Sequence, residues 1–156
     1  MSRQQIARYA VLWTIRVVTT AGLAIDAYVH LNLAHTYAEG GGTINEGVLF
    51  RIESTVALLV AVAIIATGRR ISYLAGFLVA ASALTLMLVS RYVDIGPIGP
   101  FPSFYDPIWY AEKLLAAYAE GIATVTAVAG VIMTSLVGKS RPGVAPRQRL
   151  TGTKTI

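Results

Sequence analysis

Residues 48–90 read VLFRIESTVALLVAVAIIAT, then GRR, then ISYLAGFLVAASALTLMLVS. Two apolar runs of about 20 residues, each long enough to cross about 30 Å of hydrocarbon as a helix, are joined only by Gly68-Arg69-Arg70. Lipid offers a bare backbone no hydrogen bonds, so both runs are predicted to be helices. So short a turn makes them an antiparallel hairpin.

Working outward, two further apolar stretches flank this hairpin, roughly Tyr9–His30 and Trp109–Val137. The fold class is therefore all-α: an up-down bundle of four transmembrane helices. It forms a membrane domain over residues 1–137, with spans near 9–30, 48–67, 71–90 and 109–137. Composition agrees. The 156 residues are 55% hydrophobic and 13% charged, against about 25% charged in soluble domains, and the mean hydropathy is +0.62. A soluble core could not hide that much apolar surface.

The distribution of Lys and Arg sets the expected orientation. Arg3, Arg8, Arg69, Arg70 and the cations of residues 138–156 fall on one side, whereas Arg51, Arg91 and Lys113 lie near helix ends on the other. The positive-inside rule then places both termini in the cytoplasm of a multi-pass plasma-membrane protein. Arg16 and Asp26 interrupt the first apolar region, so it is expected to remain as a helix and not to be cleaved as a signal. Two longer loops face outward. One holds Gly40-Gly41-Gly42, which lacks the strand and the Gly-Lys-Ser/Thr of a phosphate loop. The other runs Gly96-Pro97-Ile98-Gly99-Pro100-Phe101-Pro102 and is followed by the interfacial aromatics Phe104, Tyr105, Trp109 and Tyr110.

The net charge of +5 lies entirely in residues 138–156, which carry Lys139, Arg141, Arg147, Arg149 and Lys154 and no acid. A pI near 9.7 would otherwise suggest nucleic acid. Here it marks a disordered cytoplasmic tail that acts as a topology signal or is weakly drawn to anionic lipid, and no nucleic-acid partner is expected. There is no cysteine, which excludes disulfides, thiolate metal sites and covalent c-type haem.

Chemistry is confined to ionisable residues within the apolar stretches. A charge at bilayer depth costs roughly 3 kcal/mol or more. Counted at the rise of a helix, Asp26 lies about 27 Å beyond Arg8, and Arg51 and Glu53 about 27 and 24 Å beyond Arg69. Arg91 lies about 31 Å beyond Arg70, and Glu120 about 28 Å beyond Lys139. His30 is one turn from Asp26 on the same face. The candidate binding residues are thus Asp26, His30, Arg51, Glu53, Arg91 and Glu120, at one level in the outer third of the bundle. If all face inward, two cations and three carboxylates nearly balance, with room for one proton or cation. Three readings stand: a network that ties helix ends together, a pocket for a proton, a cation or a polar head group, or helix ends that place these groups in solvent. Small residues around Glu120 (Ala116, Ala117, Thr124, Ala127) suit close packing and turn it inward. Arg16 is far from every acid. It can snorkel, bond a backbone carbonyl, or hold an acidic lipid or partner.

The two histidines, His30 and His35, lie on or just after one helix, which argues against a bis-histidine haem. Asp26, His30 and a glutamate could supply zinc ligands, but such spacing is common by chance and no metal is expected. Ser, His and acid residues form no nucleophilic set, so no catalytic residue is assigned.

The run Asp26-Ala-Tyr-Val-His30-Leu-Asn-Leu, then Tyr37, then Gly47-Val-Leu-Phe50, resembles small four-helix integral membrane proteins of actinobacteria, with a layout similar to the DoxX-like group. The resemblance implies a membrane subunit of a quinone-linked redox complex. On that ground alone a quinone and a membrane-protein partner are the cofactor and partner to expect besides the bilayer; otherwise no cofactor is predicted. It carries over no catalytic residue, and His30 is the position to test first. The expected function is an accessory, non-catalytic membrane protein whose polar cluster binds a head group or partner. The alternative is a small transporter or a proton- or cation-binding protein.

Overall fold

The computed structural model describes residues 2–39 and 44–139. Among these the chain forms helices α1 (Arg3–Leu33), α2 (Glu46–Thr67), α3 (Arg70–Tyr92) and α4 (Ala111–Lys139), with a short 3-10 turn at Thr36–Glu39. All four helices are long and apolar enough to cross a membrane. They outrun most of the spans expected from hydropathy. The exception is the start of α4, which begins after Trp109 and Tyr110, and its end at Lys139 reaches into the expected tail. The rest of the basic tail, residues 140–156, and the Gly40-Gly41-Gly42 run lie outside the described residues.

The helix ends follow from local chemistry. Ser2 and Gln5 form a reciprocal capping box at the start of α1. The Asn45 side chain accepts the Val48 N–H at 2.9 Å and donates to the Ala38 carbonyl at 2.9 Å, so one residue caps α2 and ties it to the preceding turn. Gly68 ends α2 in the left-handed conformation, φ 55°, which glycine adopts without a Cβ penalty. α3 then begins two residues later, and Thr67 and Ser72 hydroxyls bridge the turn at 3.0 Å.

α1 packs on α2 and α4, α3 packs on α4 and less extensively on α2, and α1 and α3 barely touch across the diagonal. Interior and exterior are inverted relative to a soluble bundle. The buried core is built largely from Ala27, Ala57, Ala61, Ala80 and Ala123, with Leu23, Ile64 and Tyr73. Large side chains such as Leu59 (66% exposed) and Val125 (69%) point outward. Water would drive such residues inward, whereas helices in lipid associate through small residues that let backbones approach. Gly22 shows how close: a Cβ there would lie 2.9 Å from the Ala119 carbonyl oxygen on α4.

Arg16, whose role the sequence left open, bonds a backbone carbonyl. Its Nε donates to Ile64 O at 2.8 Å, and its guanidinium lies 4.8 Å from the Trp13 ring centroid. It closes the last turn of α2, the negative end of that helix's dipole.

Candidate cation-binding site

Three helices deliver four ionisable side chains to one chamber. Asp26 and His30 are one turn apart on α1, so they share a face. Glu53 comes from α2, two turns after its Asn45 cap. Glu120 comes from α4, along a strip of buried Ala116, Ala119, Ala123 and Ala127. The close α1–α4 seam at Gly22 brings that strip against α1 just below Asp26.

His30 Nδ1 lies 2.9 Å from Asp26 Oδ1 and 3.4 Å from Glu53 Oε2. It is also 3.1 Å from the Asp26 carbonyl oxygen. One ring nitrogen carries at most one proton, so it cannot donate to all three. Ligand atoms of Asp26, His30 and Glu120 lie within 4.8 Å of one another. Asp26 and Glu120 are fully buried, and among the described residues neither Glu120 oxygen has a hydrogen-bond partner. The Thr20 and Thr124 hydroxyls, on the same two helices, are also buried without one.

The structure does not bring Arg51 or Arg91 to this chamber. Arg51 is exposed, beside Val48, Ile52, Thr55 and Val56. The reason is periodicity. Residues two apart on a helix point to different sides, so Glu53 facing in turns Arg51 out. Arg91 sits in the last turn of α3, the helix diagonal to α1, and its guanidinium lies 5.3 Å from the Tyr92 ring. Among the described residues its Nε has no hydrogen-bond partner. Among the described residues no lysine or arginine forms an ion pair with Asp26, Glu53 or Glu120. The near-neutral balance expected from the sequence is therefore corrected: three carboxylates face one imidazole.

A second polar group at the same end of the bundle centres on Asp106, which the sequence reading missed. Its backbone N–H donates to Ser90 O at 2.9 Å. Its carboxylate pairs with buried Lys113 at 3.1 Å, and Lys113 Nζ also donates to its carbonyl. Tyr37 donates to the same carboxylate at 3.4 Å and meets Tyr110 at 3.1 Å. Burial pushes both phenols above their ordinary range. The Phe50 ring packs edge-on against both Tyr37 and His30, which links this group to the chamber. Tyr37 and Phe50 belong to the stretch that carried the DoxX-like resemblance; Asp106 sits in a loop with no periodicity to flag it.

No protein family, curated protein or solved structure matches the chain. The resemblance therefore rests on the residues that suggested it.

Chemically, the chamber is a set of oxygen donors with one imidazole nitrogen. An unpaired charge in a low-dielectric interior is costly, and like charges this close cannot all persist bare. The arrangement is suited to sharing something positive.

Proposed function

We propose that this protein is a multi-pass plasma-membrane protein, an up-down bundle with both termini in the cytoplasm, whose Asp26–His30–Glu53–Glu120 chamber binds a cation near the outer surface. The observation that carries this reading is the set of three carboxylates, buried Asp26 and Glu120 and half-buried Glu53, around one imidazole with no lysine or arginine partner among the described residues. The asymmetry of Arg3, Arg8, Arg69 and Arg70 supports the orientation. The accessory-subunit reading draws less support, because Arg51, suited to an acidic partner or head group, faces away from the chamber. A stoichiometric membrane partner recovered in mild detergent would favour it.

The test is unfolding of the purified protein in mild detergent, across pH and with added cations. A ligand at a hundred times its Kd stabilises by about 2.7 kcal/mol. Wild type should be stabilised by protons or by a metal cation, and Glu120→Gln should abolish that response. The same response in both proteins, or none in either, refutes the reading.

A further inference from the structure

Resting on that reading, we propose that the cation is a first-row divalent transition metal, held by Asp26, His30 and Glu120 with Glu53 as a fourth ligand.

The geometry is the first ground. Bonds of about 2.0–2.2 Å in a tetrahedral or octahedral shell set neighbouring donors about 2.9–3.5 Å apart. The separations of His30 Nδ1 from Asp26 Oδ1 and Glu53 Oε2, 2.9 and 3.4 Å, fall in that range. A Glu120 oxygen lies within 4.8 Å of ligand atoms of Asp26 and His30, and its flexible side chain can close the remaining ångström or so.

The second ground is independent of the clustering. The Glu120 carboxylate is fully buried and lies beside Asp26 and His30, and among the described residues neither oxygen has a hydrogen-bond partner. Left ionised, such a group would need a positive partner, which a proton or a metal ion can supply. A salt bridge would meet the need, but no lysine or arginine pairs with it among the described residues.

The donor set then narrows the ion. Imidazole nitrogen suits Zn²⁺, Fe²⁺ and their neighbours, whereas Mg²⁺ and Ca²⁺ take oxygen shells. Without a cysteine in the chain, the site lacks the soft thiolate that favours Cu(I). Three carboxylates around a divalent ion leave one negative charge, and a hydroxyl such as Thr124, one turn from Glu120, is of a kind to donate to it.

The experiment uses the full chain in detergent, freed of metal by chelation and titrated with Co²⁺, Zn²⁺ or Mg²⁺. One Co²⁺ per chain should bind with visible absorption bands of a low-coordinate nitrogen–oxygen shell. Zn²⁺ should displace it, and Mg²⁺ should not. Asp26→Asn, His30→Gln and Glu120→Gln should each weaken Co²⁺ by more than about 100-fold, the most that loss of an outer-shell partner costs. Arg51→Gln should leave affinity unchanged. Absence of stoichiometric Co²⁺ and Zn²⁺ binding overturns the inference. If wild type still shows a pH-dependent stability that Glu120→Gln removes, the cation-binding function survives with the proton as its cation. If that is also absent, both fall.

Discussion

Replacing Gly22 by alanine probes the seam on which the chamber depends. A Cβ at this position would lie 2.9 Å from the carbonyl oxygen of Ala119 and 3.0 Å from the Cβ of Ala123. Non-bonded carbon atoms rest about 3.5–4.0 Å apart, so α1 and α4 would have to part by roughly half an ångström over this turn. Overpacking of this kind costs about 1–3 kcal/mol. Opposing it is the gain from removing a flexible glycine from a helix, at most about 1 kcal/mol. Gly121 on α4 separates the two effects, because a Cβ there meets nothing within 4 Å. Its alanine variant gains helix propensity without the clash. Gly22→Ala should therefore be less stable than Gly121→Ala by about 1–3 kcal/mol, measured by reversible unfolding in mixed micelles. The same separation moves Asp26 away from Glu120, so Co²⁺ should bind more weakly to Gly22→Ala than to Gly121→Ala. Equal stability of the two variants would refute the close α1–α4 approach and the reason given for the chamber's geometry.

Arg16→Gln should cost about 1–3 kcal/mol, since it removes a charged donor from the Ile64 carbonyl; an unchanged unfolding midpoint would mean that the side chain reaches solvent instead. Asp106→Asn should cost about 3 kcal/mol by leaving buried Lys113 without its counter-ion, and adding Lys113→Met should recover part of the loss; additivity of the two changes would argue against the pair. The phenols of Tyr37 and Tyr110 are pushed up by burial, above the ordinary value of about 10. The folded form therefore holds these protons more tightly. The stability linked to these buried protons is complete below about pH 10 and is lost as pH rises through the higher folded values. A titration of phenolate absorbance should show a late fraction that shrinks in Tyr37→Phe, and a single transition at the ordinary value would contradict it.

The helices were legible because hydropathy in lipid is a coarse, cumulative signal: Val48–Thr67 and Ile71–Ser90 needed no tertiary information. The turn at Gly68 was equally plain. Depth along each helix could also be counted, and Asp26, Glu53 and Glu120 do reach one chamber. Azimuth was the harder variable. A full charge balance needs Arg51 and Glu53 both to face inward, and their spacing of two residues forbids it. Arg91 pairs with none of the three carboxylates among the described residues, although α3 packs against both helices that carry the glutamates. Asp106 could not be foreseen, since its partners Ser90, Tyr37 and Lys113 come from three separate segments.

The inverted distribution of side-chain size changes what a mutation does in each place. In a water-soluble bundle, trimming a large residue opens a void in the protein. Here Leu59 and Val125 point outward from helices long and apolar enough to cross a membrane, and in a bilayer a fluid neighbour would fill whatever space a truncation leaves. The perimeter should therefore tolerate shortening, while the alanines near the axis tolerate no growth. Sequence variants that keep this protein folded should drift freely in bulk along the lipid face and hold to the smallest side chains along the helix seams.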